Sequence, residues 1–204
     1  MPAADPVATH LPQRRLLYVA RHGETDWNAT MRWQGHTDVP LNETGRAQAR
    51  ALGERLRGKG IVAAVASDLS RAEETARIVA GALGVGLAYV DRGLRERQYG
   101  VFEGLTRSEC ETEHAEAWRA WVTGRVVPPG GEANEPFTAR LIGSLGRAAR
   151  EVEPAGGPLL VVAHGGAMRA MIATATHETP PMLANGVVWV FTWDGDRIAQ
   201  AHEL

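Results

Sequence analysis

Cysteine is nearly absent. Cys110 stands alone among 204 residues, so no disulfide closes within the chain and no cysteine-rich zinc site can form, which suits a cytoplasmic protein. The chain also lacks a dominant charge: 22 lysines and arginines against 24 aspartates and glutamates leave a formal net charge of -2. No overall field draws it to nucleic acid or to a membrane surface, and any anion it binds must be caught by local groups. Long apolar runs are missing too. Stretches such as 61-IVAAVA-66 fall far short of the ~20 residues that a membrane-crossing helix needs. The seven histidines contain no His-Glu-x-x-His spacing, so no metal is expected. Residues 1–13 hold three prolines and no apolar signal-peptide core, and read as a flexible leader.

What remains is the balance of an ordinary globular protein, 44% hydrophobic and 23% charged, consistent with one domain over residues 14–204. Apolar runs of strand length alternate with helical patterns. Leu16 to Ala20 predicts the first strand, entered by Arg14 and Arg15 as solvated residues. Asn42 caps a helix whose Gly45, Ala49, Leu52 and Leu56 share a face, stopped at Gly58 and Gly60. Ile61 to Ala66 reads as a strand covered by helices on both faces. A helix over Ser70 to Leu83 follows, burying Leu69, Ala72, Ala76, Val79 and Leu83 and placing Arg71 in its first turn. Leu87 to Val90 makes a third strand. From about 92 to 133 the periodicity weakens, and the region reads as a small lid. Phe137, Leu141, Leu145, Ala148 and Val152 mark another helix, Pro158 to Ala163 a fourth strand, and Met168, Met171, Ile172 and Ala175 a last helix. Then 187-VVWVFTW-193 and Asp194-Gly195-Asp196 signal a hairpin. The expected fold is a three-layer α/β/α sandwich with a mostly parallel central sheet and antiparallel strands at one edge.

Three of these strands end in polar residues: Arg21-His22-Gly23, Ser67-Asp68 with Arg71 close behind, and His164-Gly165-Gly166. Ligands of open α/β sheets sit beyond the carboxyl ends of the strands. Arginine forks bond two phosphate oxygens at once, and glycine admits a ligand close to the main chain, so the conjunction points to a phosphate-sized dianion site. Glu24 and Asp26 read as capping and loop residues, and Trp27 and Trp33 as packing.

The set Arg21-His22-Gly23-Glu24-Thr25, Trp27-Asn28, Ser67-Asp68-Leu69-Ser70-Arg71, Leu94-Arg95-Glu96 with Tyr99-Gly100, and His164-Gly165-Gly166 resembles the histidine phosphatase superfamily over about residues 15–200. That resemblance implies that His22 attacks phosphorus, that Arg21, Arg71 and His164 hold the phosphoryl oxygens with help from Asn28, and that Glu96 is the general acid. It further implies substrate contacts at Gln34, Gly35, Tyr99 and Gly165, a small phosphomonoester as the partner, and no cofactor. His22 must be neutral and held through its other ring nitrogen, by a group that the sequence does not identify.

The loop 33-WQGHTDVPL-41 and the stretch 128-PPGGE-132 resemble the phosphatase branch, although Ala133 stands where those proteins often have serine. Trp118-Arg119-Ala120-Trp121 lacks the arginine pair of glycolytic mutases. Phosphomonoester hydrolysis is therefore the expected activity. The alternatives are phosphoglycerate mutase-type transfer, which Arg119 and Arg125 keep open, and an inactive phospholigand-binding module. Discrimination among leaving groups is expected at Gln34, Tyr99, Phe102, Trp118, Trp121, Arg125, Glu132 and Arg169. The edge near Val187 to Trp193 reads either as a homodimer surface or as a strand covered by the terminus.

Overall fold

The computed structural model describes residues 14–124, 126–152, 156–178 and 180–204. The expected leader and Arg125 therefore lie outside the described residues. Six strands form one sheet in the order β3-β2-β4-β1-β5-β6. They are β1 (Arg15–Arg21), β2 (Ala63–Ala66), β3 (Gly86–Val90), β4 (Leu159–Ala163), β5 (Val188–Asp194) and β6 (Arg197–Glu203). β1 to β4 run parallel, while β5 is antiparallel to both of its neighbours. The sheet is thus mostly parallel with an antiparallel margin, and it is covered on both faces.

Among the described residues there are seven α-helices: α1 (Asp26–Ala29), α2 (Glu43–Leu56), α3 (Ser70–Leu83), α4 (Arg107–Glu113), α5 (Ala115–Val122), α6 (Asn134–Glu151) and α7 (Gly165–Thr176). Strand alternation sorts the core into two layers. Tyr18, Ala20, Leu160 and Val162 point toward Leu52 and Leu56 of α2 and Val79 of α3. Leu17, Val19, Leu159 and Val161 point toward Leu141 and Leu145 of α6 and Met168 and Met171 of α7. α2 begins where expected, with the Asn42 side chain accepting from the Gly45 N–H at 2.8 Å. Such a cap contributes about 1 kcal/mol.

Two expectations need correction. Arg15 is buried rather than solvated: its guanidinium donates to the carbonyls of Ala149, Val152 and Gly157, binding the end of α6 to the start of β1. The second strand starts at Ala63, because Ile61 is buried ahead of the sheet and the Val62 N–H already turns to the Pro158 carbonyl. Of the two readings of residues 187–193, the structure shows the strand covered by the terminus, β5. It pairs with β1 on one side and with the C-terminal β6 on the other.

The region expected to be a lid holds α4, α5 and a third apolar cluster, in which Phe102, Cys110 and Trp118 are buried beneath Trp33, Tyr99 and Trp121. Burial pushes the Cys110 thiol up to about 11, which leaves it an inert packing group. Among the described residues no helix is long and apolar enough to cross a membrane.

Candidate active site

Strand register assembles the site. Arg21 of β1 lies opposite Ala163 of β4, so the next residues, His22 and His164, leave the sheet at one level. The His22 N–H extends the ladder to the Ala163 carbonyl at 3.1 Å, and the two imidazole centroids are 5.1 Å apart. β2 ends beside them, with Ala66 opposite Val162, and α3 then carries Arg71, fully buried, into the same hollow.

Two loops are pinned around these groups. Arg71 donates to the carbonyls of Thr37 and Gly35, both at 2.9 Å. The Glu103 carboxylate accepts from the N–H groups of His36, Thr37 and Tyr99 and from the Thr37 hydroxyl, and Asp38 caps the start of α3 at the Ser70 N–H. Asp68 grips Arg95 through two bonds of 2.7 and 2.6 Å, which draws the segment carrying Glu96 to the end of β2. The Glu96 backbone is fixed from two further directions. Its carbonyl accepts from Arg140 at 2.8 Å and lies 2.9 Å from His36 Nε2, while Arg140 also bonds the Gly93 and Arg95 carbonyls and forms a two-point pair with Glu132. The Glu96 carboxyl itself accepts from the N–H groups of Arg97 and Gly166, each at 2.8 Å.

The group that holds His22 is the carbonyl of Gly23, 2.6 Å from Nδ1. A carbonyl only accepts, so Nδ1 carries the proton and Nε2 keeps the lone pair. Burial, then the charges of Arg71 and Arg21, hold the His22 imidazole well below its ordinary pKa, against the raising effect of the Gly23 bond. His164 is depressed in the same way, by burial first and then by Arg71. Arg71 is itself lowered by burial to about 10 and stays cationic at neutral pH. Several buried polar atoms here have no protein partner: Arg21 Nε, Arg71 Nε, Gln34 Oε1 and both ring nitrogens of His164. Buried polar groups are rarely left so; the Nε–H groups of Arg21 and Arg71 and the one N–H of the His164 ring are donors that suit an anionic ligand, whereas Gln34 Oε1 is an acceptor.

The hollow has a volume of about 580 Å³. Its walls include Arg21, His22, Asn28, Gln34, Gly35, Arg71, Glu96, Tyr99, His164 and Gly165, the ten positions singled out from the sequence. The rim expectations fare differently. Gln34, Tyr99 and Arg169 line it. Phe102 and Trp118 are instead buried in the lid core, Trp121 packs against Trp33, and Glu132 is spent on Arg140. Gly23 also has a different reason from ligand approach. A Cβ there would stand 2.3 Å from the Gly45 carbonyl oxygen, and one on Gly45 would stand 2.1 Å from that of Glu24, so the two glycines let the β1 loop press onto the first turn of α2. A Cβ on Gly166 would reach Glu96 Oε1 at 2.4 Å.

Sequence reasoning missed Asn185, whose Nδ2 donates to the His22 carbonyl at 3.0 Å and to Asn28 Oδ1 at 3.3 Å, and Leu183, whose carbonyl receives Arg21. Neither sits in a motif. It also missed His36, Glu103 and Arg140 as supports of the loops.

A buried, cationic hollow at the carboxyl ends of parallel strands, with two imidazoles at its floor, places this protein among α/β folds whose ligand site lies beyond the sheet. Residues 17–201 match the histidine phosphatase superfamily (branch 1), and the chain belongs to that family. It is 38% identical over 188 residues to phosphoglycerate mutase-like protein 4 of Arabidopsis thaliana, covering 89% of this chain and 81% of that protein. It is likewise 38% identical over 174 residues to 2,3-bisphosphoglycerate-dependent phosphoglycerate mutase 2 of Gloeobacter violaceus, covering 81% and 77%. A solved structure of mycobacterial glucosyl-3-phosphoglycerate phosphatase in complex with VO3 superposes with a TM-score of 0.76 at 30% identity, covering 94% of this chain and 97% of that one.

Proposed function

We propose that this protein is a metal-independent phosphomonoester hydrolase working through a phosphohistidine on His22. The observation that carries the reading is the Nδ1 bond from His22 to the Gly23 carbonyl, which presents a neutral Nε2 beside buried, unpartnered donors on Arg21, Arg71 and His164. Nε2 attacks phosphorus as the ester P–O bond breaks. Glu96 gives its proton to the departing alkoxide. Its carboxylate then takes a proton from the water that attacks phosphorus, the P–N bond breaks, and His22 and phosphate are released. The charge that builds on the equatorial oxygens meets two guanidiniums and the His164 ring, and Asn28 serves at the rim of the same pocket.

Hydrolysis is preferred over transfer because a mutase must hold its intermediate, with an anionic second group, while it turns over. Of the two lid arginines that could serve this, Arg125 lies outside the described residues, and Arg119 is exposed, bonds its own helix at the Ala115 carbonyl and is absent from the cavity wall. The mutase-type reading draws on the likeness to a named mutase and on Arg169 at the cavity mouth. The purified protein is expected to release phosphate from 4-nitrophenyl phosphate in the presence of EDTA. Robust interconversion of phosphoglycerates with negligible hydrolysis would overturn the hydrolase reading, and absence of both would leave a binding module. His22→Ala is expected to abolish turnover while its circular dichroism stays that of the parent.

A further inference from the structure

Two side chains at the cavity mouth have no part in the phosphoryl chemistry. Met31 and Met182 are 81% and 79% exposed, the two most exposed large apolar side chains among the described residues, and both line this cavity. Isolated exposed apolar residues need no explanation, but here the two extremes share one site. Met31 is also held at φ 55°, in the left-handed region that residues with a Cβ enter at a cost. The wall beside them adds Trp27, Trp33, Tyr99 and Leu183, and its single carboxylate is Glu96. Of the cations at the mouth, Arg32 grips Glu109 through bonds of 2.7 and 3.1 Å, while Arg169 donates to the Pro180 carbonyl and lies 3.5 Å from the Met182 sulfur.

We propose that Met31 and Met182 form a thioether rim that receives an apolar leaving group of aromatic size. The substrate class is then phosphomonoesters of apolar or aromatic alcohols. The inference rests on the reading that the phosphoryl group sits among Arg21, His22, Arg71 and His164. Methionine suits the task because its unbranched, polarisable chain adapts to different shapes and packs well on aromatic rings.

Calorimetric titration with non-hydrolysable phosphonates tests the rim without requiring turnover. The probes are (1-naphthylmethyl)phosphonate, 2-carboxyethylphosphonate and inorganic phosphate. The parent protein is expected to bind the naphthyl compound at least about tenfold more tightly than the carboxyethyl one, and the Met31→Gln, Met182→Gln double variant to lose most of that preference. Met31→Gly, which suits the left-handed backbone, is expected to lose part of it. Equal or tighter binding of 2-carboxyethylphosphonate, or a preference unchanged in the double variant, would overturn the rim. Failure of all three probes to bind would overturn the phosphoryl-site reading and the rim with it.

Discussion

Buried histidines shape the pH behaviour of the folded protein, His22 and His164 most strongly, with the half-buried His36 lowered in the same direction. His22 and His164 are depressed chiefly by burial and so stay neutral, whereas in the unfolded chain both titrate near ~6.5. Above that value neither state is protonated and the stability is fully present. As pH falls through about 6.5 toward the depressed folded values, the unfolded chain binds the extra protons, and stability is lost at up to ~1.4 kcal/mol per pH unit for each histidine. Urea titrations of the ligand-free protein between about pH 7.5 and 5.5 are expected to show this decline. A bound dianion gives the imidazolium forms a counter-charge, so added vanadate is expected to shallow it. A flat profile would mean that the two rings are hydrated or already paired with acids. Arg15 shows why single residues were the hardest to read. An arginine before a strand is ordinarily solvated, and its partners here are carbonyls of Ala149, Val152 and Gly157, far along the chain and invisible to any local pattern.

At the scale of elements, the periodic segments were legible and the supports of the site were not. The helix from Ser70 to Leu83 and the β5–β6 hairpin were readable because one buried face or one turn dipeptide dictates each. Glu96 could be found through its motif, but it sits on irregular chain after a 3-10 turn, where no ladder fixes it. The bracket comes from α6, where Arg140 bonds three backbone carbonyls and Glu132 aims its guanidinium. On a helix with a clear apolar stripe such an arginine reads as part of the wet face, so nothing in the periodicity gave it away. Arg140→Gln is expected to lower kcat on the order of tenfold to a hundredfold, with a greater loss for esters of poor leaving groups and little change in KM. Arg140→Lys should recover only part, since an ammonium cannot reproduce the planar fork. Equal losses for good and poor leaving groups would show that the bracket does not act through Glu96.

The described residues divide into a sheet with two packed layers and a segment, expected to be a lid, with its own small core. The lid escaped the periodicity because its apolar cluster draws on loop residues, Trp33, Tyr99, Val101 and Leu105, as much as on α4 and α5. Trp118→Ala opens a cavity in that core, at a cost of ~3 to 5 kcal/mol. Hydrogen exchange should then rise across about residues 97–124 while β1 and β4 keep their protection. Faster exchange throughout would show that lid and sheet unfold as one unit. What joins the parts is the register of β1 against β4, which sets His22 and His164 side by side, and the Gly23 carbonyl, which leaves the His22 lone pair on Nε2. The central claim is therefore covalent, and alkaline quenching of the protein during turnover of 4-nitrophenyl phosphate, followed by mass spectrometry of its peptides, tests it directly. The account predicts a phosphoryl group on His22 that water discharges as inorganic phosphate; sustained turnover with His22 unmodified, or with the label on another residue, would contradict it.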